Sequence, residues 1–222
     1  LANLFFATVS ALVWHFRDRF PTIQIVFIQN VVSLLCTLPL ALRKGPKRLK
    51  TEILPLHLLR DTMGVSSYFL YFLAIRFLNL VDASTLYYMA PFFIPIVWWI
   101  WMKETIPKNV WWSIVVGFLG VMTILNPSRQ IFQLGFVFGI FAGITSAIAL
   151  CTVRVINLKK EPMSRTLFYY FSIGSIITFP FAWASWTPPI GLEWAICIAI
   201  GAATAAGQML LTIAYRYGTA SY

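Results

Sequence analysis

Eight long apolar stretches separated by short polar breaks constrain this chain more than any other feature. They cover residues 1–14, 21–42, 56–77, 82–102, 107–125, 134–155, 163–182 and 192–215. A helix needs about 20 residues to cross the hydrocarbon of a bilayer, whereas barrel strands are about 10 residues with alternating polarity. The stretches therefore read as an all-α integral membrane protein. The breaks carry turn and charged residues: Arg17-Asp18-Arg19, Arg43 to Lys50, Asn79, Lys103-Glu104, Asn126-Pro127, Asn157 to Glu161 and Pro188-Pro189. Only 11% of the side chains are charged and 59% are hydrophobic, against roughly 25% charged in a soluble domain. Such a balance excludes a soluble globular enzyme, a disordered tail and a disulfide scaffold, because too little polar surface remains to cover a core.

The net charge of +10 is a topological signal, and no nucleic acid is expected as partner. Of the 17 Lys and Arg residues, those on one side are Arg43, Lys44, Lys47, Arg48, Lys50 and Arg60, then Lys103, Lys108, Arg154, Lys159, Lys160, Arg165 and Arg216. The other side holds Arg17, Arg19, Arg76 and Arg129. Positively charged loops stay in the cytosol, so the N-terminal side is cytoplasmic. Tryptophans at run ends (Trp98, Trp99 and Trp101, Trp111-Trp112, Trp183, Trp186 and Trp194) fit an interfacial belt. Cys36, Cys151 and Cys197 lie far apart inside apolar runs. They read as small buried hydrophobes, with no metal site and no cofactor implied.

The chain also repeats itself. A shift of 141 residues brings Pro21 onto Pro162, Phe27 onto Phe168, Thr37 onto Thr178, Pro39 onto Pro180 and Ala41 onto Ala182. At a shift of 140, Ala74-Ile75-Arg76-Phe77 falls on Ala214-Tyr215-Arg216-Tyr217. The first unit spans 1–127 and holds five helices; the second spans 134–222. An odd number of crossings turns the second unit upside down in the membrane. Inverted repeats of this kind place a substrate site near the bilayer midplane, where the units meet. Two five-helix units make ten helices, of which about eight are visible. The short first run and the new segment opening at Ser221-Tyr222 read as an internal fragment.

The stretch from Phe72 to Pro91 (FLAIRFLNLVDASTLYYMAP) resembles the third-to-fourth helix signature of EamA-type transporters of the drug/metabolite transporter superfamily. Gly207 to Ser221 (GQMLLTIAYRYGTAS) resembles its second-repeat counterpart. The resemblance covers nearly the whole chain. It implies ten helices in two inverted repeats, both termini in the cytosol, and export or exchange of small metabolites across what is in bacteria the inner membrane. A Gly-Glu pair often closes the fourth helix of such proteins; here Lys103-Glu104 keeps the Glu alone.

Polar groups inside apolar helices tend to face a cavity or another helix. Arg60, Gly64, Ser67 and Tyr71 share one face of the third helix by their spacing, and Ser84, Tyr88, Pro91 and Pro95 one face of the fourth. The eighth run adds Thr204, Gln208 and Tyr215, and the first adds Asn3. Asn3, Ser67, Tyr71, Tyr87, Tyr88, Pro91, Thr204 and Gln208 are the candidate substrate contacts. Close helix packing is the competing use of the small residues among them, and the main reading of Gly135, Gly139 and Gly143, with a sliding surface as the functional variant. Pro91 and Pro95 should bend the fourth helix near its middle. Arg60-Asp61 on the inner side, and Arg76 with Asp82 on the outer side, are candidate gates, the latter pair reading more readily as solvated interfacial charges. His15 and His57 read as satisfied interfacial histidines.

No acid stands near the centre of a visible run, which lowers proton antiport of cationic drugs. A neutral or zwitterionic metabolite fits better, such as an amino acid or, as in some branches of the resembling family, an S-adenosylmethionine-like compound. The tyrosines would also stack on an aromatic or nucleoside-like body. The expected partners are thus a small molecule and membrane lipid, with a homodimer left open. Two alternatives remain at this point. A membrane enzyme acting on lipid would need a nucleophile–base pair or a metal cluster, and neither spacing occurs. A non-transporting subunit of a membrane complex would lack an inward polar stripe. The orientation has its own check: an impermeant thiol reagent should reach a cysteine placed in the 43–50 loop from the cytosolic side only. Labelling from outside intact cells would reverse the topology.

Overall fold

The computed structural model describes residues 1–43, 45, 49–105, 107–125 and 134–217, without the side chains of Ile124, Arg216 and Tyr217. Half of the basic 43–50 loop, the Asn126-Pro127 break and the close of the second motif at Gly218 to Ser221 lie outside the described residues. The described residues form helices α1 (Ala2–Phe16), α2 (Thr22–Leu42), α3 (Leu54–Phe77), α4 (Leu80–Tyr87), α5 (Ala90–Met102), α6 (Lys108–Leu125), α7 (Leu134–Leu158), α8 (Met163–Ala184) and α9 (Leu192–Tyr217). Five spans are long and apolar enough to cross a membrane: Thr22–Leu42, Leu80–Met102, Leu134–Leu158, Met163–Ala184 and Leu192–Tyr215.

Polarity is distributed the opposite way from a water-soluble bundle. Trp112, Val116 and Leu119 on α6, Ile176 on α8 and Leu35 on α2 are exposed, while Gln24, Ser33, His57, Asp61, Thr152, Thr166 and Thr204 are wholly buried. Lipid is the solvent that makes this arrangement stable, since it rewards exposed apolar side chains and forces polar ones to find partners inside. The protein is an integral membrane protein.

The helices pair in a definite order. Helix α3 runs along α7, α1 along α9, and α2 lies against both α8 and α9. Under the 141-residue correspondence, α1, α2 and α3 match α7, α8 and α9. That operation exchanges the α1–α9 contact with the α3–α7 contact and maps α2–α8 onto itself.

Small residues make these seams. A Cβ added at Gly139 would come within 2.6 Å of Leu86 Cδ1, and one at Gly143 within 3.0 Å of the Leu86 carbonyl oxygen. On the α2–α9 seam the Ser33 hydroxyl donates to the Gly201 carbonyl at 2.7 Å. A Cβ at Gly201 would meet Val32 Cβ at 2.4 Å. Such approach lets backbones touch where no water-driven burial is available.

Two expectations need correction. The fourth run is not one helix bent at its prolines: it breaks upstream, at Tyr88-Met89, into α4 and α5. Proline removes the bond to the carbonyl four residues earlier, and Pro91 instead occupies the first turn of α5, where no N–H is needed. Pro95 stays inside α5. Trp98 is buried rather than interfacial. Its indole N–H donates to Glu104 at 2.8 Å, and the Arg154 guanidinium carbon sits 4.5 Å above its ring. Partners for both the N–H and the π face let an interfacial residue type go inside. Lys103 closes α5 at φ 56°, a backbone position that glycine takes more readily.

Gly201→Ala should destabilise the protein by about 1–3 kcal/mol through overpacking. Gly120→Ala on α6, where an added Cβ meets nothing within 4 Å, should hold or slightly raise stability. Thermal unfolding of the two variants in one detergent checks the contrast.

Candidate functional site

A cavity of about 290 Å³ opens where α1, α3, α7, α8 and α9 face the α4–α5 break. Its wall includes Asn3, Arg60, Gly64, Ser67, Tyr68, Tyr87, Tyr88, Pro91, Ser146, Tyr170, Gln208 and Tyr215. From the helix directions these residues lie between the bundle's middle and the end at which α1 begins.

Arg60 supplies the charge of this wall. It is buried at 3% exposure on the second turn of α3. Its Nη1 donates to Asp61 Oδ1 at 3.2 Å and its Nη2 to Gln208 Oε1 at 3.2 Å. The guanidinium carbon lies 3.6 Å from the centre of the Tyr170 ring. Gln208 Nε2 in turn donates to the Tyr68 hydroxyl at 3.3 Å. One chain of polar contacts therefore joins α3, α8 and α9.

Tyrosines form a second part of the wall. The Tyr71 and Tyr87 rings stack at 4.5 Å, Tyr87 and Tyr88 meet edge to face at 5.4 Å, and Tyr68 and Tyr87 lie 6.2 Å apart. Tyr71 sits behind this surface: its hydroxyl donates to Ser10 Oγ at 2.9 Å and lies 2.8 Å from Ser84 Oγ. Ser10, Tyr71 and Ser84 lie outside the cavity lining and, from the helix directions, between it and the far end of the bundle, as a floor of hydrogen-bonded side chains.

Each end of the bundle carries a polar junction between the segments matched by the repeat. Beyond the closed floor, Arg19 Nε donates to Glu193 Oε1 at 3.0 Å. Gln24 exchanges two hydrogen bonds with the Thr187 backbone, at 2.6 and 2.8 Å. At the opposite end Glu161 gathers the Thr51 hydroxyl at 2.7 Å, Arg165 at 3.0 Å and His57 Nε2 at 3.3 Å. The His57 ring also stacks on Tyr169 at 4.8 Å. His57 stands in the first turn of α3 and is fully buried.

The sequence-derived candidates divide accordingly. Asn3, Ser67, Tyr87, Tyr88, Pro91 and Gln208 lie on the cavity wall, although the Ser67 hydroxyl is already used on the Ala142 carbonyl at 2.9 Å. Tyr71 and Thr204 do not reach it; Thr204 donates to the Ile200 carbonyl inside its own helix. Arg60 lines the cavity and Asp61 is its buried partner. Arg76 and Asp82 form no ion pair among the described residues. Asp82 instead exchanges hydrogen bonds with Asn79 at 2.7 and 2.8 Å, capping α4. Arg76 donates to Thr22 at 3.4 Å beside a separate apolar groove.

Ser146 and Tyr170 are wall residues that sequence reasoning missed. Ser146 continues the Gly139–Gly143 face by three residues, and that spacing could have found it. Tyr170 carries no such signal. A polar stripe on α2 also went unread: Gln29, Asn30, Ser33 and Thr37 are all buried.

Burial pushes the Glu161 carboxyl up, but the hydrogen bonds from Thr51, Arg165 and His57 and the Arg165 charge outweigh it and leave its pKa below the ordinary 4.5. Its contribution to stability is complete above 4.5 and is lost as the pH falls through the lowered folded value. Glu161→Gln should therefore lower the unfolding temperature at pH 7, and the gap from wild type should close as the pH drops below about 4.5. A pH series of thermal melts measures it.

Comparison with known proteins adds to this geometry. Residues 1–126 match the EamA-like transporter family. The chain is 29% identical over 223 residues to the pseudopaline exporter CntI of Pseudomonas aeruginosa (strain UCBPP-PA14), covering 100% of this chain and 78% of that protein. It is 24% identical to a riboflavin transporter of Brucella anthropi, over 93% of this chain and 74% of the relative. It is 27% identical to an S-adenosylmethionine uptake transporter of Rickettsia felis, over 87% and 64%. One solved crystal structure superposes with a TM-score of 0.66 at 17% identity, over 98% of this chain and 80% of its own. At that identity it speaks for the fold alone.

Proposed function

The chain belongs to the EamA-like transporter family, and from that premise we infer that it moves a small metabolite by alternating access around the Arg60–Gln208 cavity. It is a small-molecule transporter of the membrane and not an enzyme. The two units 1–127 and 134–222 are read as inverted repeats that rock about the α2–α8 contact. The N-terminal side is cytoplasmic, in the inner membrane of a bacterium, so the cavity faces the cytosol in this state.

The observation that carries the reading is the closed chain Arg60–Gln208–Tyr68. It joins α3 to α9, helices that the 141-residue correspondence makes equivalent, at the wall of an otherwise apolar and aromatic cavity. Arg19–Glu193 and Gln24–Thr187 act as the outer gate, and Glu161 with His57, Thr51 and Arg165 as the inner junction. Arg76 and Asp82 take no part in either. A transporter must hold one end closed while the other opens, and paired polar groups at both ends suit that requirement. A packing subunit has no use for a buried cation beside an open cavity.

The substrate is a metabolite of the amino acid or S-adenosylmethionine-like class. The five tyrosines of the wall favour a planar body, and the compounds for which two relatives are named, riboflavin and S-adenosylmethionine, each contain a planar ring system. In proteoliposomes containing the full-length protein, a labelled member of this class should show counterflow. Gln208→Leu removes the acceptor of Arg60 and the donor to Tyr68, and should cut flux by at least tenfold, as loss of a hydrogen bond to a buried charge does. Tyr88→Ala should weaken apparent affinity more than maximal rate. Full flux in the Gln208→Leu variant would remove the cavity from the transport path.

A further inference from the structure

The Arg60–Asp61 pair is only half satisfied. Both side chains are buried, at 3% and 0% exposure, yet Arg60 Nε and Asp61 Oδ2 have no hydrogen-bond partner among the described residues. The one bond between them, at 3.2 Å, is long for a charge-assisted contact, which usually lies near 2.7–2.9 Å. Arg60 is also the sole charged residue on the cavity wall among those described. We propose that this pair is a charge-exchange site: a carboxylate-bearing substrate takes the guanidinium, and Asp61 takes up one proton, so that substrate and proton cross together. The proposal rests on the transporter reading above and names its substrate class and coupling.

The chemistry follows from the donors. Nε–H and one Nη–H of a guanidinium form a parallel edge that matches the two oxygens of a carboxylate. On Arg60 the Nε is unoccupied and Nη2 holds only the neutral Gln208 amide. A substrate carboxylate displacing Gln208 Oε1 gains both donors, while Gln208 keeps its bond to Tyr68. With a substrate of net charge −1 such as L-glutamate, the site then carries one uncompensated negative charge in the protein interior, whereas a zwitterion such as L-tyrosine brings its own ammonium and calls for no proton. An uncompensated buried charge costs several kcal/mol, and two carboxylates at one site do not both stay ionised. One proton from the water-filled side forms an O–H bond on Asp61 and restores neutrality; no other bond forms or breaks. Release of the substrate on the far side returns Asp61 to Arg60 and frees that proton.

Among the described residues, the groups facing the pair leave Asp61 no rival counter-charge. From α8 the Tyr170 phenol faces the pair, with its ring on Arg60. From α9 come Gln208 and the Tyr215 phenol, from α4 the Tyr87 phenol, and from α7 the uncharged Ser146. Towards the start of α3, His57 sits with Glu161 and Arg165, a cluster in which Glu161 already pairs with Arg165 at 3.0 Å.

The test uses full-length protein in proteoliposomes with labelled L-tyrosine and L-glutamate as carboxylate probes and labelled riboflavin as a planar probe without one. The wild type should exchange a carboxylate probe and accumulate L-glutamate, the net anion, about tenfold under a proton gradient of one pH unit, the limit of one-to-one coupling. Asp61→Asn should bring the gradient-driven accumulation ratio down to about one, a steady-state ratio that a merely slower carrier would still raise. Arg60→Gln should lose more than tenfold of carboxylate counterflow, with partial rescue by Arg60→Lys. Thermal melts establish that each variant is folded. Gradient-driven accumulation surviving in Asp61→Asn, undiminished flux in Arg60→Gln, or exchange of riboflavin alone overturns the charge-exchange site and leaves the transporter reading standing. Failure of every probe to exchange in the wild type overturns both.

Discussion

Lipid cannot hydrogen-bond, and every other feature of this structure follows from that constraint. A serine, asparagine or arginine inside such a bundle has to find its partner on another helix or in its own backbone. The α2 stripe shows both solutions: Ser33 reaches across to the Gly201 carbonyl, while Asn30 and Thr37 turn back on Val26 and Ser33 of their own helix. Because lipid tails are as apolar as leucine, burying leucine between helices gains little. Close backbone approach at Gly139, Gly143 and Gly201 does the work instead, and fixes which helices can be neighbours.

The same constraint explains why the functional features are few and concentrated. A buried cation is costly unless its charge and its donors are met. Arg60 meets the cost in part, through Asp61, Gln208 and the face of Tyr170, and leaves one donor over. The Arg19–Glu193 bridge is wetter and looser, since water competes for it, with side chains 38% and 23% exposed. Contacts of that kind contribute little each and exchange readily, which suits a gate. The central contacts are short of partners and drier, which suits a site that answers to a ligand's charge.

Much of this was legible in the sequence, for physical reasons that also mark its limit. The spans could be read because crossing a bilayer requires about 20 apolar residues. The break inside the fourth run was misplaced because proline acts on the carbonyl upstream of itself, so the chain parts at Tyr88-Met89 and not at Pro91. Helical spacing correctly gathered Arg60, Ser67 and Gln208. It also gathered Tyr71 and Thr204, because spacing gives a face and not what covers that face. Arg76 and Asp82 are near in sequence, but Asp82 caps its own helix with Asn79. Tyr170 could not be found at all, since its role arises only once α8 lies beside α3 and the ring meets Arg60.

The central claim is that the two units move against each other, closing one end while the other opens. Spin labels at Asp18→Cys and Leu192→Cys, both exposed positions flanking the Arg19–Glu193 bridge, report that motion directly. With Cys36, Cys151 and Cys197 replaced and the full-length protein in lipid, their distance distribution should show a short population and a longer one. A transported probe should shift the balance between the two. A single short distance, unchanged by any transported probe, would contradict alternating access.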